Sequence, residues 1–111
     1  QKLDSGPEKG KLLILSWGST YGSVKSACRT LHKEDADVAH AHLRYMRPFP
    51  SNLGDIIKNY EKVLIPELNN GQLIKIIRDK YMVDAKGYNK IMGIPFTKSE
   101  LMEEIKTLLK D

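Results

Sequence analysis

An α/β fold, built as a three-layer sandwich with a mainly parallel sheet between helices, is predicted by three observations. Short apolar runs alternate along the chain with segments whose apolar residues recur at helical spacing. The connections between these segments are short. The first run, Lys11 to Trp17 (KLLILSW), is almost continuously apolar, the pattern of a strand covered on both faces. Alternation of this kind favours parallel strands joined by right-handed crossovers.

Gly18-Ser19-Thr20 breaks the first strand, and Val24, Ala27, Cys28 and Leu31 then fall on one stripe of a helix. Asp37 to Leu43 reads as a second strand, with Val38, His40 and His42 on one face and Ala39, Ala41 and Leu43 on the other. Pro48 and Pro50 lack donor hydrogens, so Arg44 to Pro50 is predicted to be a shaped loop. Ser51 or Asn52 can cap a helix with the stripe Leu53, Ile56, Ile57 and Tyr60. Lys62 to Ile65 is the third strand, and Pro66 to Gly71 is a polar turn. Asn70 in that turn is placed to cap a helix carrying Leu73, Ile76, Ile77 and Tyr81. Tyr88 to Met92, after the breaker Gly87 and before Gly93 and Pro95, is a weak fourth strand. Thr97 and Glu100 form a capping box for a last helix, with Phe96 and Leu101 at staple positions and Leu101, Ile105, Leu108 and Leu109 on its stripe.

With 111 residues, 41% of them hydrophobic, the chain fits one domain with a core of its own. Residues 1–10 have the composition of a linker or a truncated edge strand, and 11–111 form the domain. The start, without an initiator Met, reads as a cut from a longer polypeptide. The longest apolar run, Leu12 to Leu15, is far below the roughly 20 residues a spanning helix needs, so a soluble protein is expected. The net charge of +4 is spread, with +3 before residue 51 and +1 after it. That distribution argues against a nucleic-acid binder, which would gather its cations on one face. The lone Cys28 rules out an intrachain disulfide or a cluster held by this chain alone, and its helical stripe predicts a buried, inert thiol in a reducing, cytoplasmic setting.

In such a sheet, ligands and partners approach the carboxyl ends of the strands, here the segments 18–22, 44–50 and 67–72. Gly18 to Gly22 opens a helix and can hold an anion, but it matches no nucleotide fingerprint, and capping by Ser19 or Thr20 explains it as well. His40 and His42 share a strand face and can supply two metal ligands. No third is near in sequence, which favours packing or hydrogen-bonding roles. Glu67 stands at a strand end without a second acid or a histidine in its loop. It therefore reads as an organiser of its turn, bonding the amides of Asn69 to Gly71. No catalytic or metal residue is expected. The candidates for interface or ligand contact are Gly18, Ser19, Thr20, Arg44, Arg47, Glu67, Asn69, Asn70, Gly71 and Gln72. A rival reading is a free-standing module that binds a small anion at Ser19, Thr20 and Gly71.

Three pieces occur in order: Ser16 to Gly22 (SWGSTYG), His42 to Pro50 (HLRYMRPFP) and Pro66 to Leu73 (PELNNGQL), followed by Gly93-Ile94-Pro95-Phe96. Over about residues 10 to 109 the chain resembles the C-terminal domain of the alpha subunit of 2-oxoacid:ferredoxin oxidoreductases, most closely the 2-oxoglutarate enzymes, a domain similar to the transketolase C-terminal domain. The resemblance implies a full enzyme that decarboxylates a 2-oxoacid on thiamine diphosphate with Mg, passes electrons through iron–sulfur clusters to ferredoxin, and forms an acyl-CoA. It implies as partners the other domains of the alpha subunit, a beta subunit, ferredoxin and CoA, with no nucleic acid and no membrane. This stretch lacks a GDG-type thiamine motif and cluster cysteines, so the resemblance implies no cofactor in this domain and an assembly role for it. Related domains carry an additional antiparallel edge strand, which only Gln1 to Ser5 can supply here.

Overall fold

The central strand β1 (Gly10–Trp17) organises the computed structural model, which describes residues 3–43, 52–68, 72–82, 85–90 and 96–110. It pairs in parallel with β2 (Val38–Leu43) on one side and β3 (Tyr60–Leu68) on the other, and β4 (Lys86–Lys90) adds to β3. The order is β2-β1-β3-β4, with every strand pair parallel. Leu12 to Leu15 are fully enclosed because both faces of β1 are covered, as the unbroken apolar run predicts.

Helices α1 (Tyr21–Lys33) and α4 (Lys98–Lys110) cover one face, packing Val24, Ala27, Cys28, Leu31, Leu101 and Ile105 on Leu12, Ile14, Val38 and Leu64. Helices α2 (Leu53–Lys58) and α3 (Gln72–Tyr81) cover the other, where Leu53, Ile57, Leu73 and Ile77 meet Leu13, Leu15, Ala39, Ala41 and Ile65. The small side chains of β2 let that layer approach closely.

The structure departs from the sequence reading in the limits of elements and in the facing of α3. Tyr60 belongs to β3 and not to α2: it registers with Gly10, and its hydroxyl donates to the Pro7 carbonyl at 2.6 Å. β3 accordingly runs beyond Lys62–Ile65 at both ends. On α3 the buried neighbour of Leu73 is Ile74, while Ile76 is 40% exposed. β4 begins at Lys86 with Gly87 inside it, since Lys86 and Gly87 pair with Leu64 and Ile65 of β3, and the Arg78 guanidinium grips the Ala85 carbonyl just ahead (2.6 and 3.1 Å). The expected continuation from 91 to Met92 lies outside the described residues, as does Ser51, and Asn52 takes the N-cap position of α2 without a side-chain cap bond.

The N-terminal segment lies antiparallel against the outer edge of β2. The Asp4 N–H donates to the His40 carbonyl (2.7 Å) and the His40 N–H to the Ser5 carbonyl (2.9 Å), a single bridge at Ser5. Gly6, at φ 94°, permits the approach, since a Cβ there would sit 2.5 Å from the Val38 oxygen. The last helix is fixed at both ends. The Thr97 hydroxyl accepts from the Glu100 N–H at 3.2 Å and the Glu100 carboxylate from the Thr97 N–H at 3.3 Å, the expected capping box. At the other end Lys62 Nζ donates to the Leu108 carbonyl at 2.8 Å and Lys11 Nζ to that of Leu109, placing two cations on the negative end of the helix dipole.

Replacing Thr97 by Ala is expected to lower stability by about 1 kcal/mol. Urea denaturation checks this, and an unchanged midpoint would remove Thr97 from the cap.

Candidate functional site

The helix after β1 covers one face of the sheet and the helix after β3 covers the other, so the chain parts between the carboxyl ends of these adjacent strands. That is where a doubly wound sheet opens its ligand crevice. Here the crevice is bridged from within. Trp17, the last residue of β1, donates its indole N–H to Glu67 Oε1 at 3.1 Å. The same carboxylate accepts the backbone N–H groups of Leu73 (2.7 Å, Oε1) and Ile74 (3.1 Å, Oε2) in the first turn of α3. Glu67 is 1% exposed.

Glu67 thus caps α3 at Leu73 and Ile74, while the expected bonding of Glu67 to the amides of Asn69 to Gly71 and the expected cap at Asn70 lie outside the described residues. A carboxylate reaching across from the strand satisfies orphan helix donors and sits on the positive end of the dipole. It also holds there the charge that a bound phosphate would bring, so the N-terminus of α3 is already filled. Three donors thus converge on the Glu67 carboxylate.

The 18–20 turn is a single 3₁₀ turn, Gly18–Thr20, entered through Gly18 at φ 65°. α1 starts at Tyr21, so Gly22 is helical and the loop is shorter than 18–22. The Thr20 hydroxyl donates to the Trp17 carbonyl at 2.9 Å and does not cap α1. Of the expected contact residues, the fold brings Gly18, Thr20 and Glu67 to one rim. Ser19 and Gln72 are placed by their backbone, and Arg44, Arg47, Asn69, Asn70 and Gly71 lie outside the described residues.

A second polar group sits beneath α1 near the ends of β1 and β2. Ser16 Oγ lies 2.7 Å from His40 Nε2 and 2.7 Å from His42 Nδ1. The Tyr21 ring packs on both imidazoles, at centroid distances of 5.8 and 4.7 Å, and its hydroxyl donates to the Asp4 carboxylate. Burial holds the His40 pKa down at about 4, opposed by the Asp4 charge. Trp17, Ser16, Tyr21 and Asp4 were not singled out by the sequence reading. Trp17 and Ser16 stood in a quoted motif, but only the strand pairing shows what they face.

Among the described residues no three His, Cys, Asp or Glu side chains gather as a metal site. Cys28 is enclosed, with its thiol pushed up to about 12 by burial and by the Asp4 charge. These residues do not fit the magnesium of a thiamine cofactor or an iron–sulfur cluster.

The family model described as pyruvate:ferredoxin oxidoreductase core domain II matches residues 10–102. The 2-oxoglutarate oxidoreductase subunit KorA of Mycobacterium tuberculosis is 43% identical over 108 residues, covering 97% of this chain and 16% of the relative. The 2-oxoacid:ferredoxin oxidoreductase subunit alpha of Saccharolobus solfataricus is 27% identical over 108 residues, covering 95% of this chain and 17% of the relative. The chain thus spans about one sixth of the length of these curated relatives. Among solved structures, the 2-oxoglutarate:ferredoxin oxidoreductase from Magnetococcus marinus with 2-oxoglutarate, coenzyme A and succinyl-CoA bound superposes with a TM-score of 0.90 at 26% identity, over 97% of this chain and 19% of that one. A split-gene transketolase, an inactive beta4 tetramer, has a TM-score of 0.66 at 12% identity over 90% of this chain and 38% of its own, a likeness of fold alone.

Glu67→Ala strands the Trp17 indole and two helix amides, and is expected to cost roughly 3 kcal/mol, with Glu67→Gln losing less. Denaturation followed by the fluorescence of the single tryptophan reads both effects, and an Ala variant within about 0.5 kcal/mol of the parent contradicts the bridge. The depressed pKa of His40 predicts a pH effect. The unfolded state binds more protons between pH 6.5 and 4, so stability is complete above the ordinary histidine pKa and falls as pH drops through that window, by roughly 3 kcal/mol at pH 4. His40→Gln removes this component, and equal losses in parent and variant over the window would exclude it.

Proposed function

Because the chain belongs to the pyruvate:ferredoxin oxidoreductase core domain II family, we propose that it is a non-catalytic domain of the alpha subunit of a thiamine-diphosphate-dependent 2-oxoacid:ferredoxin oxidoreductase acting on 2-oxoglutarate. The observation that carries this reading is the 43% identity to the KorA relative across 97% of the chain. Preference for 2-oxoglutarate rests on that relative and on the superposed enzyme that holds 2-oxoglutarate and succinyl-CoA. In the parent enzyme the 2-oxoacid is oxidatively decarboxylated, its acyl group passes to CoA and its electrons pass to ferredoxin. Thiamine diphosphate, Mg and the iron–sulfur clusters are held by other domains and by the beta subunit.

A non-catalytic role is supported by the state of the rim. Glu67 is spent on internal donors, the Thr20 hydroxyl serves its own turn, and the enclosed thiol is held protonated. What the rim offers instead is anchorage. Glu67 fixes the two ends from which 69–71 spans, and Pro48 and Pro50 limit the conformations of 44–50. A preorganised loop loses less entropy on docking, and arginines such as Arg44 and Arg47 are favoured anchors at interfaces. The rim therefore serves assembly against the neighbouring domains of the alpha subunit and the beta subunit, in the cytoplasm.

In the reconstituted parent enzyme, the double variant Arg47→Ala, Asn69→Ala is expected to weaken assembly by about 2 kcal/mol, roughly thirtyfold in dissociation constant, or to lower turnover of 2-oxoglutarate. Melting of the 111-residue chain should be unchanged. Normal assembly and turnover together with a destabilised chain would contradict docking, and a parent enzyme that reduces ferredoxin with pyruvate but not with 2-oxoglutarate would contradict the substrate.

A further inference from the structure

The outer face of α1 carries most of the chain's net charge. The exposed residues of this helix are Gly22, Lys25, Arg29 and Lys33, one glycine and three cations, while Val24, Ala27, Cys28 and Leu31 face the sheet. Steps of three and four residues put the exposed set on one stripe, and a rise of about 1.5 Å per residue sets the outermost cations roughly 12 Å apart. The helix has no Asp or Glu. The net charge of the chain is +4 and α1 supplies three of it, leaving +1 for all other residues. The excess found before residue 51 is therefore gathered on one helix.

Helix stability does not call for this composition. Like charges four residues apart repel, by roughly 0.2–0.5 kcal/mol per pair. Lys33 in the last turn complements the helix dipole, but Lys25 and Arg29 stand outside that turn. Gly22 is not demanded by the fold either. A Cβ there would meet nothing within 4 Å and its φ lies outside the left-handed region, whereas glycine in a helix costs up to about 1 kcal/mol relative to alanine. Acids bound the row at both ends. Glu34 and Asp35 follow Lys33, with Glu34 paired to Lys106 at 3.3 Å, and at the start of the helix the Asp4 carboxylate accepts from the Tyr21 hydroxyl.

We infer that the outer face of α1 is a docking surface for an acidic helix of another protein, which binds reversibly with its carboxylates against Lys25, Arg29 and Lys33 and its backbone close to Gly22. Carboxylates four residues apart on a helix repeat at about 6 Å, the spacing of the cations. The missing side chain at Gly22 leaves room for a second backbone to come near. A reversible partner fits better than a permanent one. Lasting interfaces are apolar and poor in lysine, and the exposed large hydrophobics, Ile76 and Met82, lie on and after α3 instead. Charge attraction speeds encounter, and Lys25, with Nζ 5.4 Å above the Tyr21 ring, is partly held before a partner arrives. A nucleic acid or an anionic lipid surface carries charge past three groups and would meet Asp4, Glu34 and Asp35. The inference needs only this helix and not the enzyme assignment.

Amide spectra of the ¹⁵N-labelled 111-residue chain, titrated with a capped helical peptide that repeats Glu-Ala-Ala-Ala four times, test it. At low salt the expected result is saturable shifts centred on residues 22–33, with a dissociation constant of about a millimolar that weakens about fivefold at 200 mM NaCl. The same peptide with Gln for Glu should not bind. The triple variant Lys25→Gln, Arg29→Gln, Lys33→Gln, changed only at exposed positions, should keep the folded spectrum and lose at least about fivefold in affinity. Gly22→Ala should keep or raise the melting temperature and yet weaken the peptide roughly threefold, a split that a purely structural glycine does not give. Three results in the parent chain overturn the proposal without any variant: no shifts, shifts centred on Lys11, Lys58, Lys62 and Lys86 instead, or equal binding of the Gln peptide. A DNA duplex or phosphatidylserine vesicles that still shift residues 22–33 at 200 mM NaCl, where the peptide does not, would give the face to nucleic acid or lipid and overturn it as well.

Discussion

The carboxylate of Glu67 is where three elements of this fold meet. It ends β3, receives the indole of the residue that ends β1, and caps α3. A parallel sheet makes such a junction necessary. Every strand runs the same way, so the helix N-termini and their unpaired N–H groups collect at one rim, and a helix start buried without acceptors is costly. Glu67 is a buried charge that would be costly alone, and it is tolerated because each donor removes part of the cost of leaving water. The same bonds tie the carboxyl ends of β1 and β3 together.

That junction has a counterpart on the opposite face. Between β1 and β2, where His40 and Ser16 would be costly as isolated polar groups, they are tied to one another and to His42, with Tyr21 laid over the rings. The N-terminal segment completes the arrangement by placing Asp4 at the outer edge of β2 through backbone bonds to His40. One residue, His40, is therefore both the sheet-edge partner of Ser5 and the hub of the side-chain group, so the order of the N-terminal segment and the electrostatics of the interior are coupled through it.

Much of the fold was legible in the residues because periodicity reports burial directly. The strand 11–17, buried from Leu12 to Ser16, the stripe Val24, Ala27, Cys28, Leu31, the alternation in β2 and the capping box at Thr97 all stand where spacing put them. The errors share a cause. Tyr60 and Ile76 continue helical stripes perfectly, yet Tyr60 is taken by strand register with Gly10 and Ile76 by the rotation of α3 that puts Leu73 and Ile74 at Glu67. Both are tertiary preferences that overrule a local period. The site was less legible for the same reason. Glu67 was recognisable as an organiser of its turn, but its partners lie 6, 7 and 50 residues away, and the link from Ser16 to His40 and His42 spans 24 and 26. Contacts at such separations become visible only once strand order is known.

The polar groups at the carboxyl ends of the strands hold this domain's shape from within. Apart from His40 Nδ1, the described buried side-chain polar groups are matched with partners inside the chain, and a surface fixed in advance binds with less loss of entropy than one that must be ordered on contact. At the strand-end rim the Glu67 carboxylate and the Thr20 hydroxyl are engaged by partners within the chain. The segments that connect the strand ends to their helices, 44–50 and 69–71, carry Arg44, Arg47, Pro48, Pro50, Asn69 and Asn70.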